Sequence, residues 1–293
     1  MLKRTVYLSS ILLIGFTSCN SEEKEVKDVS DTLTEMESEK EEPKNEIVYS
    51  IPSPNEQYDL LRSLSEKVDP TIVNDLSQSS NYATADKKAL NFGVYISDAA
   101  YLMRYEQGKS VFLNYVSTLD KLGQDIDITK VYGEELIKQV EEAGADSEKL
   151  FEISSQNYIS VFDQLIENEK GVELSLILSG AWIETMHILF HSAGNYDQNF
   201  EIEEYIIDQR YVLENLTGFV ETYAEDDRVQ PVLAYLNEIQ NAYDTMDCEE
   251  TNLKVNKDEG TVMLNGGLSC LFTEDSFTEM KSLIVKIRTS IIS

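Results

Sequence analysis

Basic residues are scarce in this chain: 24 Lys and Arg stand against 54 Asp and Glu, a formal net charge of -30 at pH 7. Nucleic acid needs cations for its phosphates and an anionic bilayer needs them for its headgroups, so neither is expected against the folded surface. Cationic partners or simple mutual repulsion suit such a surface better. Histidine is limited to His187 and His191, and tryptophan to Trp182. The sequence has no His-Glu-x-x-His order, nucleophile elbow, phosphate-binding glycine loop, Cys–His pairing or paired-carboxylate motif. It therefore indicates no enzyme class and no cofactor.

The two His and the Trp all fall in residues 172–191, VELSLILSGAWIETMHILFH. At ~100° per residue, Glu173, Gly180, Glu184, His187 and His191 form one narrow stripe. Apolar side chains from Leu174 to Phe190 cover roughly two-thirds of the circumference, wider than the stripe of an ordinary surface helix. Such a helix needs neighbours on most sides. Its Glu and His residues interrupt it too often for a membrane span, which predicts the central helix of a helical domain.

The chain starts with an address. Lys3 and Arg4 precede an apolar run from Val6 to Phe16, and Thr17-Ser18 place small residues before Cys19. This resembles a bacterial lipoprotein signal, whose cysteine becomes the lipidated first residue, although Phe16 stands where Leu is usual. The alternative is an uncleaved anchor helix, for which the run is shorter than the ~20 residues a span needs. Residues 20–46 are acidic, lack aromatics and offer no apolar face, so they are expected to form a disordered, self-repelling tether. Glu22, Glu23 and Glu25 look like a cell-surface export signal, and Asp31-Thr32-Leu33 resembles a bacterial O-glycosylation site.

Residues 47–293 are expected to fold as one helical domain. Ser53-Pro54-Asn55-Glu56 reads as a capping box, with apolar residues at helical spacing up to Asp69-Pro70. A short piece over 71–76 precedes a second, largely apolar helix over 84–106, whose polar positions are Asn91, Asp98 and Tyr105. Gly108 separates it from a helix over 111–122, and 123–133 is read as a connector. Further helices are predicted over 134–142, 146–168, 201–223, 229–246 and 274–292. Residues 252–268 alternate around Asp258-Glu259-Gly260 and end in Asn265-Gly266-Gly267, which predicts a β-hairpin. The expected class is all-α: an up-and-down multi-helix array with two buried central helices and one hairpin near the C-terminus.

Three groups of residues have chemical capacity. Glu184, His187 and His191 are spaced by three, four and seven positions, so one helix face could present a carboxylate and two imidazoles to a divalent metal; the same residues also read as a solvent stripe. Asn91, Asp98, Tyr101 and Tyr105, with Trp182, could line a polar ligand cleft, and a buried Asp98 would need a hydrogen-bond partner or a shifted pKa. The competing reading makes Asp98 a structural acceptor and Trp182 a core residue. Cys248 and Cys270 form an even pair in an oxidising compartment. If bonded, they would contribute about 3 kcal/mol in the chain-entropy model; unbonded, they are two ordinary thiols.

Ile51-Pro52-Ser53-Pro54, Lys88-Ala89-Leu90-Asn91-Phe92-Gly93-Val94-Tyr95 and Gly180-Ala181-Trp182-Ile183-Glu184 together resemble a family of helical lipoproteins of Gram-negative bacteria. The resemblance runs from Ile51 to about Ala224. It implies secretion, a mainly α-helical fold, no established activity, and apolar or aromatic residues at the two His positions. The expected function is a lipid-anchored binding or interaction module of the outer membrane, facing the periplasm or the cell surface, with a protein or glycan partner. The alternatives are a metal-binding protein or metal-dependent enzyme using Glu184, His187 and His191, and a structural envelope protein.

Overall fold

Helix α6 (Gly171–Ala193) is apolar nearly all round and is correspondingly wrapped: α1 (Pro54–Leu64), α2 (Ala85–Met103), α5 (Ser147–Glu167), α7 (Phe200–Glu221) and α9 (Glu274–Ile292) all pack on it. The structure is a computed structural model and describes residues 51–64, 69–103, 108–128, 133–144, 146–258 and 261–293. The Cys19 signal, the 20–46 tether and Tyr105 lie outside the described residues. The remaining helices are α3 (Gly108–Asp125), α4 (Glu134–Ala143) and α8 (Gln230–Asp244), with a 3-10 turn over Leu76–Asn81. The class is all-α with one antiparallel hairpin near the C-terminus.

Local sequence explains where the helices start. Ser53 Oγ accepts the Glu56 amide while the Glu56 carboxylate accepts the Ser53 amide at 2.7 Å, a reciprocal cap on α1. Asp146 caps α5, Asn199 caps α7 and Thr273 caps α9 through its side-chain oxygen. Glycine signals were less decisive. Gly108 is the first residue of α3 rather than a separator, and α3 continues through Gly123 to Asp125. The short piece after Pro70 is a 3-10 turn placed later than residues 71–76, because Asp75 caps it at Ser77.

The two most deeply buried helices, α2 and α6, touch backbone to backbone. A Cβ on Gly180 would lie 2.0 Å from the Leu90 carbonyl oxygen, and one on Gly93 would lie 2.0 Å from that of Ile177. Further along, Ser97 and Thr185 hydroxyls meet at 3.0 Å. From Leu90–Gly180 through Ser97–Thr185 to Tyr101 and His191, which both meet Asp69, contacts advance in the same direction along both helices, so α2 and α6 run parallel. This is the relation that an up-and-down order gives to helices four apart: α2 packs on α3, α3 on α4, α4 on α5 and α5 on α6. The chain then turns back. Glu173 near the start of α6 pairs with Arg228 just beyond the end of α7, and α9 runs antiparallel to α6, with Lys281 on Gly194 and Arg288 on Glu184.

The hairpin comprises β1 (Cys248–Asp258) and β2 (Thr261–Cys270), longer than the expected 252–268. Its register runs from Cys248↔Cys270 to Asp258↔Thr261, with an irregularity between Thr251 and Lys254. Asn265-Gly266-Gly267 do not end the second strand but lie within it, opposite that irregularity, where glycine tolerates the disturbed ladder. Because Cys248 and Cys270 are direct cross-strand partners, their sulfurs meet and form a disulfide. The two-thiol alternative is thereby removed.

Candidate functional site

The residues with chemical capacity converge on one irregular segment, 69–75, that crosses α2, α6 and α9. Its main chain is gripped from three helices. From α2, Tyr101 OH accepts the Asp69 amide at 3.0 Å, Asp98 Oδ2 accepts the Asn74 amide at 3.0 Å, and Tyr95 OH donates to the Asp75 carbonyl at 2.9 Å. From α9, Arg288 Nη2 donates to the Ile72 carbonyl at 3.0 Å. From α6, the His187 ring bonds the Ile72 backbone, and His191 Nε2 meets Asp69 Oδ2 at 3.1 Å. The Asn74 side chain donates to Tyr82 OH at 2.9 Å. Irregular backbone is tolerated in the interior only when its polar groups are matched in this way.

Beneath the segment lies an ionic cluster. Glu184 is fully buried, and both its oxygens accept from Arg288, at 2.6 Å to Nε and 2.8 Å to Nη2. This is the bidentate geometry in which a guanidinium best matches a carboxylate. Asp98 is also fully buried. Burial first, and then the neighbouring Glu184 charge, push its pKa well above the usual carboxylate range, which favours its protonated form. The Arg288 cation and the Glu184 anion balance one another, as a buried pair requires. Burial also lowers His187 to about 4, leaving it neutral. At the adjacent positions the Tyr58, Ser97 and Thr185 hydroxyls meet within 2.6–3.3 Å, and Thr185 passes the chain of bonds to the Ala181 carbonyl.

These positions correct three expectations. The α6 stripe is neither a metal face nor a solvent face: Gly180 and Glu184 are buried, His187 is half-buried, and only His191 is exposed. Glu184 is committed to Arg288 and His191 to Asp69, so the three side chains serve different partners; among the described residues no group of three or more His, Cys, Asp and Glu is arranged to hold a metal ion. The α2 stripe does not line a ligand cleft. Asn91 is fully buried and its Nδ2 donates to the Ile291 carbonyl at 2.9 Å, holding the end of α9, while Tyr101 and Asp98 hold the 69–75 segment. Trp182 is 2% exposed in the core.

Arg288, Asn74 and Tyr58 escaped sequence reasoning, whereas Tyr95 was expected beside Asp98 in the polar cleft and instead bonds the Asp75 carbonyl. A signal for Arg288 existed: it sits in the run Ile284, Ile287 and Ile291, whose spacing marks the buried face of α9. An arginine next to that face needs a buried acid, and the sequence offers Glu184 and Asp98. Neither protein-family models, nor curated proteins, nor solved structures give a match to this chain.

Proposed function

We propose that this protein is a lipid-anchored interaction module of the bacterial outer membrane, with its helical domain held away from the bilayer by an acidic tether and no catalytic role of its own. The observation that favours this reading is the bonding within the chain at the α2–α6–α9 junction. Asp98, Tyr101, Glu184, His187 and His191 each bond the chain's own 69–75 segment or Arg288. Side chains that would do acid–base or metal chemistry thus hold the domain together instead.

The address rests on other residues. Cys19 follows a basic and then apolar leader, and the several acyl chains of a bacterial lipoprotein give stable attachment where one chain is marginal. The Cys248–Cys270 disulfide suits an oxidising compartment. The likeness to helical lipoproteins of Gram-negative bacteria points the same way. With a net charge of -30, the domain favours a partner with a cationic or glycan surface over nucleic acid. Replacing Cys19 with Ala in a Gram-negative host tests the anchor. The variant is expected to move from the detergent-extracted membrane fraction to the soluble periplasm; unchanged fractionation would remove the lipoprotein reading.

A further inference from the structure

Arg210, on α7, points its guanidinium at the hairpin disulfide. It is 9% exposed; Nη1 donates to Cys270 Sγ at 2.6 Å and reaches Cys248 Sγ at 3.9 Å, while Nη2 donates to Tyr211 OH. The Tyr211 ring stacks under the guanidinium at 4.5 Å. A guanidinium is a fixed fork of strong donors, and a disulfide sulfur is a poor acceptor for it. A thiolate is a strong one. The arrangement suits the reduced state of Cys270 better than the oxidised state.

We propose that Cys248–Cys270 is a reducible thiol–disulfide site, in which Cys248 takes the attack of a dithiol and Arg210 holds Cys270 as the departing thiolate. The two sulfurs differ in the way this requires. Cys248 is half-buried and open to attack, whereas Cys270 is 7% exposed and lies against the cation. A thiolate of the dithiol bonds to Cys248 Sγ, the Sγ–Sγ bond breaks, and its electron pair leaves on Cys270 Sγ. The second thiol of the reductant loses its proton to solvent and attacks the mixed disulfide. The reductant departs as a disulfide, Cys248 leaves as a thiolate that takes a proton, and two electrons have passed to the protein. Because Cys248 and Cys270 are paired at the base of the hairpin, between α8 and α9, reduction unties β1 from β2 there.

Among the described residues, the other charges near the site oppose the effect weakly. Asp208 and Glu249 are exposed, where water screens them, and Tyr243, buried beside Arg210, is neutral because burial raises its pKa. A cationic neighbour lowers a cysteine from about 8.5 to 7.5 or below. A gain of roughly tenfold for the reduced state corresponds to about 30 mV for two electrons.

The test uses the full chain purified in detergent and equilibrated in glutathione redox buffers. Arg210→Met is expected to hold its disulfide roughly tenfold more tightly than the wild type, with Arg210→Lys in between. A second measurement leaves Arg210 in place, so it does not depend on how that variant folds. In a Cys19→Ala, Cys248→Ser chain, Cys270 is the only thiol, and its thiolate absorbance at 240 nm is expected to titrate below the ~8.5 of a free cysteine. A midpoint at or above 8.5, or equal redox equilibria in wild type and Arg210→Met, would overturn the proposal.

Discussion

Gly180→Ala places a methyl group where α2 and α6 meet. The new Cβ would lie 2.0 Å from the Leu90 carbonyl oxygen, and the atoms nearest it are all backbone, so no flexible side chain can move aside. The helices themselves must part. A gap of about 0.5–1 Å forfeits a quarter to a half of the dispersion attraction of the atoms that lose contact, and overpacking of this kind costs about 1–3 kcal/mol. Separation also stretches the Ser97–Thr185 bond of 3.0 Å, worth about 1 kcal/mol. Against this, Ala gains about 1 kcal/mol over Gly in helix propensity. The expected result is a net loss of about 2 kcal/mol. Gly93→Ala should behave alike, and the double variant should lose less than the sum, because one separation relieves both contacts. Urea unfolding with the disulfide intact is the assay, followed by fluorescence of Trp182, the sole Trp, which is 2% exposed on the same helix. A Gly180→Ala variant as stable as the wild type, or more stable by the propensity gain, would refute the close approach.

Two further perturbations address the buried cluster. Arg288→Met strands the Glu184 carboxylate, whose side chain is 0% exposed, and should cost about 3–5 kcal/mol, most of it recovered by adding Glu184→Leu; a loss under 1 kcal/mol in the single variant would place the pair in water. Asp98 has a folded pKa raised above its unfolded value of about 3.9, so the stability it contributes is complete below that value and falls as pH rises. His187 works in the opposite sense: lowered to about 4 when folded, against about 6.5 unfolded, it makes stability rise with pH across that window. Asp98→Asn should therefore be more stable than the wild type at pH 7 and similar near pH 3. It should also reveal a rise on the order of 2 kcal/mol between pH 4 and 6.5 that His187→Gln abolishes. A less stable Asp98→Asn at pH 7, measured by chemical denaturation across pH, would contradict the raised pKa.

Most of the helical skeleton was legible because its signals are local. The Ser53–Glu56 cap, the spacing along α9 and the near-complete apolar girth of α6 each depend on residues within a turn or two of one another. Gly108 and Gly123 misled because a glycine inside a helix and a glycine between helices look the same in sequence. The polar stripes misled for another reason. Periodicity reports which positions share a face, but not what that face meets. Glu184 finds Arg288 across 104 positions, Asn91 finds Ile291 across 200, and Asp98 finds Asn74 in a segment with no periodicity at all.

By itself the sequence determined the all-α class, the two apolar central helices and the hairpin between α8 and α9, since each follows from propensity, capping and side-chain period. Only the tertiary structure decided that α2 and α6 meet on reciprocal glycines, that Asp98, Glu184 and Arg288 form one buried cluster under the 69–75 segment, and that Arg210 reaches the disulfide. These are pairings between distant parts of the chain, and a pairing is selected by the free energy of the packed whole, which no local window of residues contains.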